Sequence, residues 1–379
     1  MYQRSEDQQL AIDSLRRFLD QEVEPQFRAH GDGPIQRELM QGWTAQLAQF
    51  GLINAPYSAE HGGPGLDWQT HLMLYEEVVH TAADIALPIV INTCAADLMI
   101  RLAPAALRER YLPGLLDGSL FAAMAISEPA VGSDVAAVQT RARRDGDHWV
   151  ITGEKTWITN GRYSDFLICT CRTDEGLTHI LLDRREHPYE VRDIRKIALN
   201  GQSTTQIFLD SVRVPVENTI GEIGQGLRQT LTVFERARCH VGMSGVGLAR
   251  RAMEESIRYA QARSQHGKPI AGHQLIAEKL ATMATEIDAA RLLVMRAASM
   301  IDKGLRCDTE CAMAKWYGTE MAVKATREAV QIHGGNGVTT EFPVERLARE
   351  AIVFPVPDGT TEIQKLMIAR ALTGIQAFR

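Results

Sequence analysis

The chain has 379 residues, 45% apolar and 23% charged, with a net charge of -6 at pH 7, which is an ordinary globular composition with length for more than one domain or one large core. The acidic balance argues against broad nucleic-acid binding, although a local arginine cluster is enough to hold a phosphorylated ligand. No apolar run reaches bilayer length, the N-terminal Met1-Tyr2-Gln3-Arg4-Ser5-Glu6-Asp7 lacks a signal-peptide stretch, and six scattered cysteines suit a reducing cytosol, so a cytoplasmic protein without a membrane partner is expected.

Residues 5 to about 120 read as helical. Ala11, Leu15, Phe18 and Leu19 form an apolar stripe, and His71 to Val79 and Ala105 to Leu116 continue the pattern. Tyr57 to Leu66, with Gly62-Gly63-Pro64-Gly65, reads as a loop. From about 121 the texture changes to short strands rich in β-branched or aromatic residues: His148 to Ile151, Phe166 to Thr170, His179 to Leu182 and Gln206 to Leu209. Turns such as Asp145-Gly146-Asp147 and Asp174-Glu175-Gly176 separate them, a spacing that predicts an antiparallel barrel or sandwich rather than βαβ units. Cys169 and Cys171 alternate along one of these strands and should share a face. From about 227 helices return, and Ile276, Leu280, Met283, Ile287, Ala290 and Val294 make a stripe long enough for a bundle. The predicted segments are therefore 1–120 helical, 121–226 β and 227–379 helical.

No Gly-x-Gly-x-x-Gly follows an early strand, so a Rossmann dinucleotide site is not expected. Gly242, Gly245 and Gly247 lie in a helical stretch, where they serve close helix packing. Cys307 and Cys311 have helical i,i+4 spacing, but no matching His or Cys pair follows, and no metal site is expected.

Five segments carry candidate chemistry. Ala125 to Asp134 and Gly153 to Gly161 combine glycine, small hydroxyl residues and, in the second, the indole of Trp157. Hydroxyls and amides can bond the heteroatoms of a planar cofactor, and an indole can cover its face. Arg263 to Ile270, with His273-Gln274, offers a fork donor suited to pyrophosphate, or else a surface arginine near a helix end. Gln331 to Gly337 has a bare backbone that a ligand can approach, or else forms a helix C-cap and turn. Pro357 to Gln364 places an acid beside a glycine ahead of a helix start, which suits a general base and equally an N-cap or turn.

Taken in order over nearly the whole chain, through Ile368-Ala369-Arg370, these five segments resemble the acyl-CoA dehydrogenase family. The resemblance implies a mainly α protein with a β-barrel middle domain: an N-terminal helical domain, the barrel, and a C-terminal four-helix bundle. It implies FAD, a CoA thioester substrate, an electron-transferring flavoprotein as acceptor and a homotetramer. By position, Ser127, Trp157, Ile158 and Thr159 match residues around the flavin ring. Arg263, Gln331, Gly334 and Gly335 match positions that reach the FAD of a neighbouring subunit, and His273, Gln274, Thr360 and Glu362 match further FAD contacts. Ser133 matches a pantetheine contact, and Glu235 and Arg238 match polar contacts of the helix lining the CoA channel.

Asp358 matches the catalytic base, with Gly359 beside it at the thioester. The chain departs from the family pattern at three places. His266 stands where Phe precedes the glycine. Ala237 occupies the position where isovaleryl-type and long-chain members carry their base. Pro357-Asp358 replaces the usual Tyr-Glu. A general base needs hydrogen-bond reach to its proton, so an acid shorter by one methylene requires a closer substrate, a moved backbone or different chemistry. Dehydrogenases of alicyclic acyl-CoA thioesters, which this chain resembles in its Asp-Gly-Thr, and the more distant nitroalkane oxidases carry Asp here, and the resemblance implies an alicyclic or otherwise bulky acyl group. The alternatives are a flavin oxidase or monooxygenase on the same scaffold, a dehydrogenase of acyl-carrier-protein thioesters, and a non-enzymatic interaction subunit. The sequence does not specify chain length, branching or ring preference.

Overall fold

The computed structural model describes residues 4–377. The chain begins with α1 (Glu6–Phe18), α2 (Glu24–His30), α3 (Arg37–Gln49), α4 (Trp68–Thr81), α5 (Ala83–Leu102) and α6 (Ala105–Leu116). Strands β1 (Ala122–Ala125), β2 (Arg141–Asp145), β3 (His148–Thr159), β4 (Phe166–Thr173), β5 (Gly176–Asp183), β6 (Glu190–Asp193), β7 (Thr204–Pro215) and β8 (Thr219–Ile220) follow. Then come α7 (Gly226–Ala262), the short β9 (Ser264–Gln265) and β10 (Lys268–Pro269), α8 (Gln274–Asp302), α9 (Asp308–His333), α10 (Val344–Ala351) and α11 (Thr361–Thr373). The chain divides into two compact units. One comprises the residues up to Arg28, Trp68–Ala83 and Glu235 onward, and the other comprises Ala29–Asp67 and Asp84–Phe234.

The second unit is built on an eight-stranded sheet in the order β6-β7-β3-β2-β4-β5-β8, with β1 added to β4. Its strands bury Trp149, Ile151, Leu167, Ile180, Ile207 and Leu209 in one core, and Cys169 and Cys171 share that face. Two pairings are parallel, β1 with β4 and β2 with β4, where the sequence spacing suggests antiparallel neighbours alone. These strands are far from β4 in sequence and reach it by long connections, which is what parallel pairing requires. No ladder joins β6 to β8 among the described residues, so the hydrogen-bonded path stays open where a barrel would close it. Helices are tied to the sheet by the half-buried Asp165 and the buried Asp183. Both Asp165 oxygens accept from Arg37 of α3 at 2.8 Å, and Asp183 accepts from Tyr111 of α6 at 2.8 Å.

Helix α5 corrects one sequence reading: at 20 residues and mean hydropathy 1.6 it is long and apolar enough to cross a membrane. It is apolar on nearly every face because 72% of its apolar window is buried.

The first unit is helical. Its α4 carries two adjacent buried carboxylates, Glu76 and Glu77, amid Arg16, Arg250 and Arg291. Burial alone would raise the Glu77 pKa, but hydrogen bonds from Arg250 and Arg16 reverse the effect and hold it at about 2. The stripe predicted from Ile276 to Val294 faces inward on α8, most deeply at Met283, Ile287, Ala290 and Val294. Helices α7 and α9 meet backbone to backbone. A Cβ on Gly245 would lie 2.2 Å from the Gly318 carbonyl, and one on Gly242 would lie 2.7 Å from that of Ala314. Only glycine permits that approach.

Candidate functional site

In the sheet unit, the segments around Ser127 and Trp157 are fastened together by a buried lysine. Lys155 of β3 donates to the Ile126 carbonyl at 3.0 Å and to Glu128 Oε1 at 2.8 Å, and Thr156 N–H donates to the Ser127 carbonyl at 3.0 Å. Glu128 also accepts from the backbone N–H groups of Gln139 and Thr140 at 2.7 and 2.8 Å. Burial works against its ionised form, but Lys155 and Thr140 outweigh it and hold the carboxyl below the usual range.

Immediately after Lys155, β3 slips register against β7, between Lys155 and Ile158. The slip puts Trp157 at φ 62°, which is uncommon for a bulky residue. Its indole turns outward, 61% exposed, while Ile158 turns into the core. Thr159 and Ser127 are half-buried, and Ser133 is exposed. An observed backbone outlier of this kind points to function: here it presents a flat apolar face and adjacent hydroxyls.

In the helical unit, the turn before α11 holds Asp358. Its backbone is left-handed, φ 56°, and that of Gly359 is φ 92°. Asp is among the side chains that best tolerate this region. At φ 92° the position favours glycine, and a Cβ there would also fall 2.7 Å from the Gln364 side-chain amide. Lys315, fully buried in α9, donates to the carbonyls of Pro355 at 2.6 Å and Gly359 at 2.9 Å. Gln364 donates to the carbonyls of Asp358 at 3.1 Å and Gly359 at 2.8 Å, and Arg238 Nε donates to that of Asp358 at 3.4 Å. The carboxyl of Asp358 itself has no hydrogen-bond or ion-pair partner among the described residues. Burial pushes its pKa above the usual range, opposed by Lys315 and Arg238. Burial likewise pushes Lys315 down to about 8 and lowers Arg238. Glu235 lies one turn before Cys239 on α7, within 3.5 Å of the Cys307 thiol. Thr360 caps α11 by accepting from Ile363 N–H, and Glu362 is exposed in its first turn.

The same unit brings two further predicted segments together. Tyr259, near the end of α7, stacks on His333 at 4.2 Å between ring centroids, and its hydroxyl accepts from Asn336 at 3.1 Å. Arg263 and Gln331 are exposed beside this join, and Gly334 and Gly335 have open space where a side chain would stand. His273 Nε2 lies 3.1 Å from the Gln265 carbonyl, and Gln274, the first residue of α8, is exposed.

Sequence reading missed Glu128, Lys155, Lys315 and the pinning role of Gln364. The available signal for Lys315 was its place among Cys311, Ala312, Ala314 and Gly318 on the buried face of α9.

Three family models match in sequence: acyl-CoA dehydrogenase N-terminal domain over residues 5–119, middle domain over 123–212 and C-terminal domain over 224–373. The chain is 32% identical to cyclohexane-1-carbonyl-CoA dehydrogenase of Syntrophus aciditrophicus over 98% of both chains. It superposes on butyryl-CoA dehydrogenase of Megasphaera elsdenii with a TM-score of 0.93 and 28% identity, covering 98% of this chain and 99% of the other. A glutaryl-CoA dehydrogenase of Mycobacterium smegmatis in complex with FADH2 gives a TM-score of 0.92 and 27% identity, covering 99% and 97%. With three consecutive family models and a full-length relative above 30% identity, the chain belongs to the acyl-CoA dehydrogenase family, FAD-dependent oxidoreductases that act on the CH–CH group of acyl-CoA thioesters.

Proposed function

We propose that this enzyme forms an α,β-unsaturated acyl-CoA, with Asp358 taking the α-proton while the β-hydrogen leaves as hydride. The observation that carries the reading is the Asp358 carboxyl: half-buried, free of any partner among the described residues, and close to two buried cations. A base must not already be bonded, and this carboxyl is unbonded, with Lys315 and Arg238 favouring its ionised form against the effect of burial. The backbone N–H of Asp358 is assigned to the thioester oxygen, where it stabilises the enolate-like charge. Glu235, Arg238, Ser133 and Gly359 are assigned to the CoA thioester.

The residues present fit the family's cofactor. Trp157 offers an exposed indole face held by an outlying backbone, Ser127 and Thr159 offer hydroxyls on the two stapled segments, and Gly334 and Gly335 leave room for close approach. Bound FAD supplies the hydride acceptor at N5. Ile158, Arg263, His273, Gln274, Gln331, Thr360 and Glu362 are assigned to its remaining contacts, several of them across a subunit boundary in a homotetramer. We also assign electron transfer to an electron-transferring flavoprotein, a functional division at 1–120, 121–226 and 227–379, and a cytoplasmic location. The last is supported by six buried cysteines, none of them in a disulfide among the described residues.

The short acid and the full-length similarity to a cyclohexane-1-carbonyl-CoA dehydrogenase favour an alicyclic or bulky acyl group. Anaerobic flavin bleaching by straight-chain, branched and alicyclic CoA thioesters tests this. The alicyclic thioesters are expected to bleach fastest, and a wide lead for any straight chain rejects the substrate assignment.

A further inference from the structure

We propose that Lys315 is a positioning residue for Asp358: from beneath the turn it ties the Pro355 and Gly359 carbonyls together and supplies the charge that keeps the carboxyl ionised. The proposal rests on the reading of Asp358 as the base.

Lys315 is fully buried, yet no carboxylate lies within ion-pair reach of it among the described residues. Its two acceptors are carbonyls on either side of Asp358 in sequence. An ammonium buried without a direct counter-charge opposes folding, so neither packing nor stability accounts for a lysine here. Geometry supplies the missing role. The turn has left-handed residues at 358 and 359 and prolines at 355 and 357. Such backbone persists only where its surroundings over-determine it. Lys315, Gln364 and Arg238 together hold the carbonyls of Pro355, Asp358 and Gly359 from below. Every contact is to main chain, which leaves both carboxyl oxygens of Asp358 free.

Charge supplies the second half. The groups facing Asp358 are Lys315 and Arg238, both cationic and both opposing the effect of burial. Around Lys315 stand Asp358, Arg238, Glu320 and Glu362. Around Arg238 stand Asp358, Cys311, Glu235 and Cys239. Neutralising Lys315 removes one of the two cations that favour the ionised base, so Asp358 should hold its proton to higher pH.

The test is the pH dependence of Asp358 modification by a water-soluble carbodiimide and an amine in the purified holoenzyme. Peptide mass spectrometry reads the result, because the reaction follows the protonated carboxyl. In Lys315→Gln, which keeps one donor and loses the charge, the midpoint should move to higher pH. An unmoved midpoint overturns the charge role. Lys315→Arg should keep the wild-type midpoint, and a clear upward shift there also overturns it. Gln364→Leu removes a neutral donor from the same carbonyls. It should leave the midpoint in place and slow flavin bleaching about tenfold to a hundredfold, through loss of placement alone. Bleaching at the wild-type rate overturns the positioning role, and this variant decides it even where Lys315→Gln does not fold. The base assignment is judged separately, by bleaching in Asp358→Asn, which the labelling experiment does not use.

Discussion

Two buried lysines, one in each unit, solve the same electrostatic problem in opposite ways. Lys155 in the sheet is neutralised at contact by Glu128, and the pair staples the segment of Ser127 to that of Trp157. Lys315 in the helical unit touches carbonyls only, and the nearby carboxylate, Asp358, stays unbonded. The difference separates scaffold from chemistry. An acid that holds a structure together is paired and held below its usual pKa. An acid that must accept a proton is left without a partner and pushed above it.

The comparison breaks first if Asp358 is not the reactive acid. Asp358→Asn should bind substrate and bleach the flavin roughly 10²–10⁴ times more slowly, the usual cost of losing a general base. Rapid anaerobic mixing measures it, and a near-normal rate ends the assignment.

The next largest effect lies on the sheet side. Glu128→Ala strands Lys155 as a buried, unpaired charge, which costs about 3–5 kcal/mol. Denaturant unfolding followed by intrinsic fluorescence reports it, and a loss below about 1 kcal/mol shows that the pair is not a staple.

Lengthening the base is a finer probe. Asp358→Glu moves the carboxyl by about an ångström and places a less tolerant side chain at φ 56°, so bleaching should slow around a hundredfold. A faster enzyme than wild type shows that the short acid is not matched to its substrate.

The smallest effect has the most informative sign. The folded-state pKa of Asp358 is raised, so its ionisation opposes folding, and this stability is lost as pH rises through the unfolded and then the folded value. Asp358→Asn should therefore be at least as stable as wild type at pH 7. Glu128 and Glu77 have depressed values, so their stability is present above about 4.5 and lost as pH falls, down to about 2 for Glu77. Thermal unfolding across pH checks both signs.

How much of this was legible in the sequence depended on range. Strands β3, β4, β5 and β7 announce themselves through local runs such as Phe166-Leu167-Ile168. The α8 stripe does so through its spacing. Strand β1 is Ala-Met-rich and β2 is mostly arginine, and each is a strand because of its neighbours rather than its own preference. Asp358 could be found by resemblance to a family motif. The neighbours of Lys315 mark it as buried but do not show its role, which depends on carbonyls 40 and 44 residues away. The outward turn of Trp157 was equally hidden, since it arises from a register slip against β7 rather than from anything in the segment itself.

The glycine crossing of α7 and α9 has a consequence for how the candidate site behaves under perturbation. Arg238 lies one turn before Gly242, and Lys315 follows Ala314, the residue whose carbonyl Gly242 faces. The spacing of the backbone positions that carry the two cations is therefore set by main chain resting on main chain, and hydrogen bonds to the Asp358 turn hold the two side chains. Heating or mild denaturant loosens rotamers before it moves backbones. The crossing works as a ruler: the field at Asp358 should stay nearly constant until the helical unit itself comes apart, and then disappear in the same step.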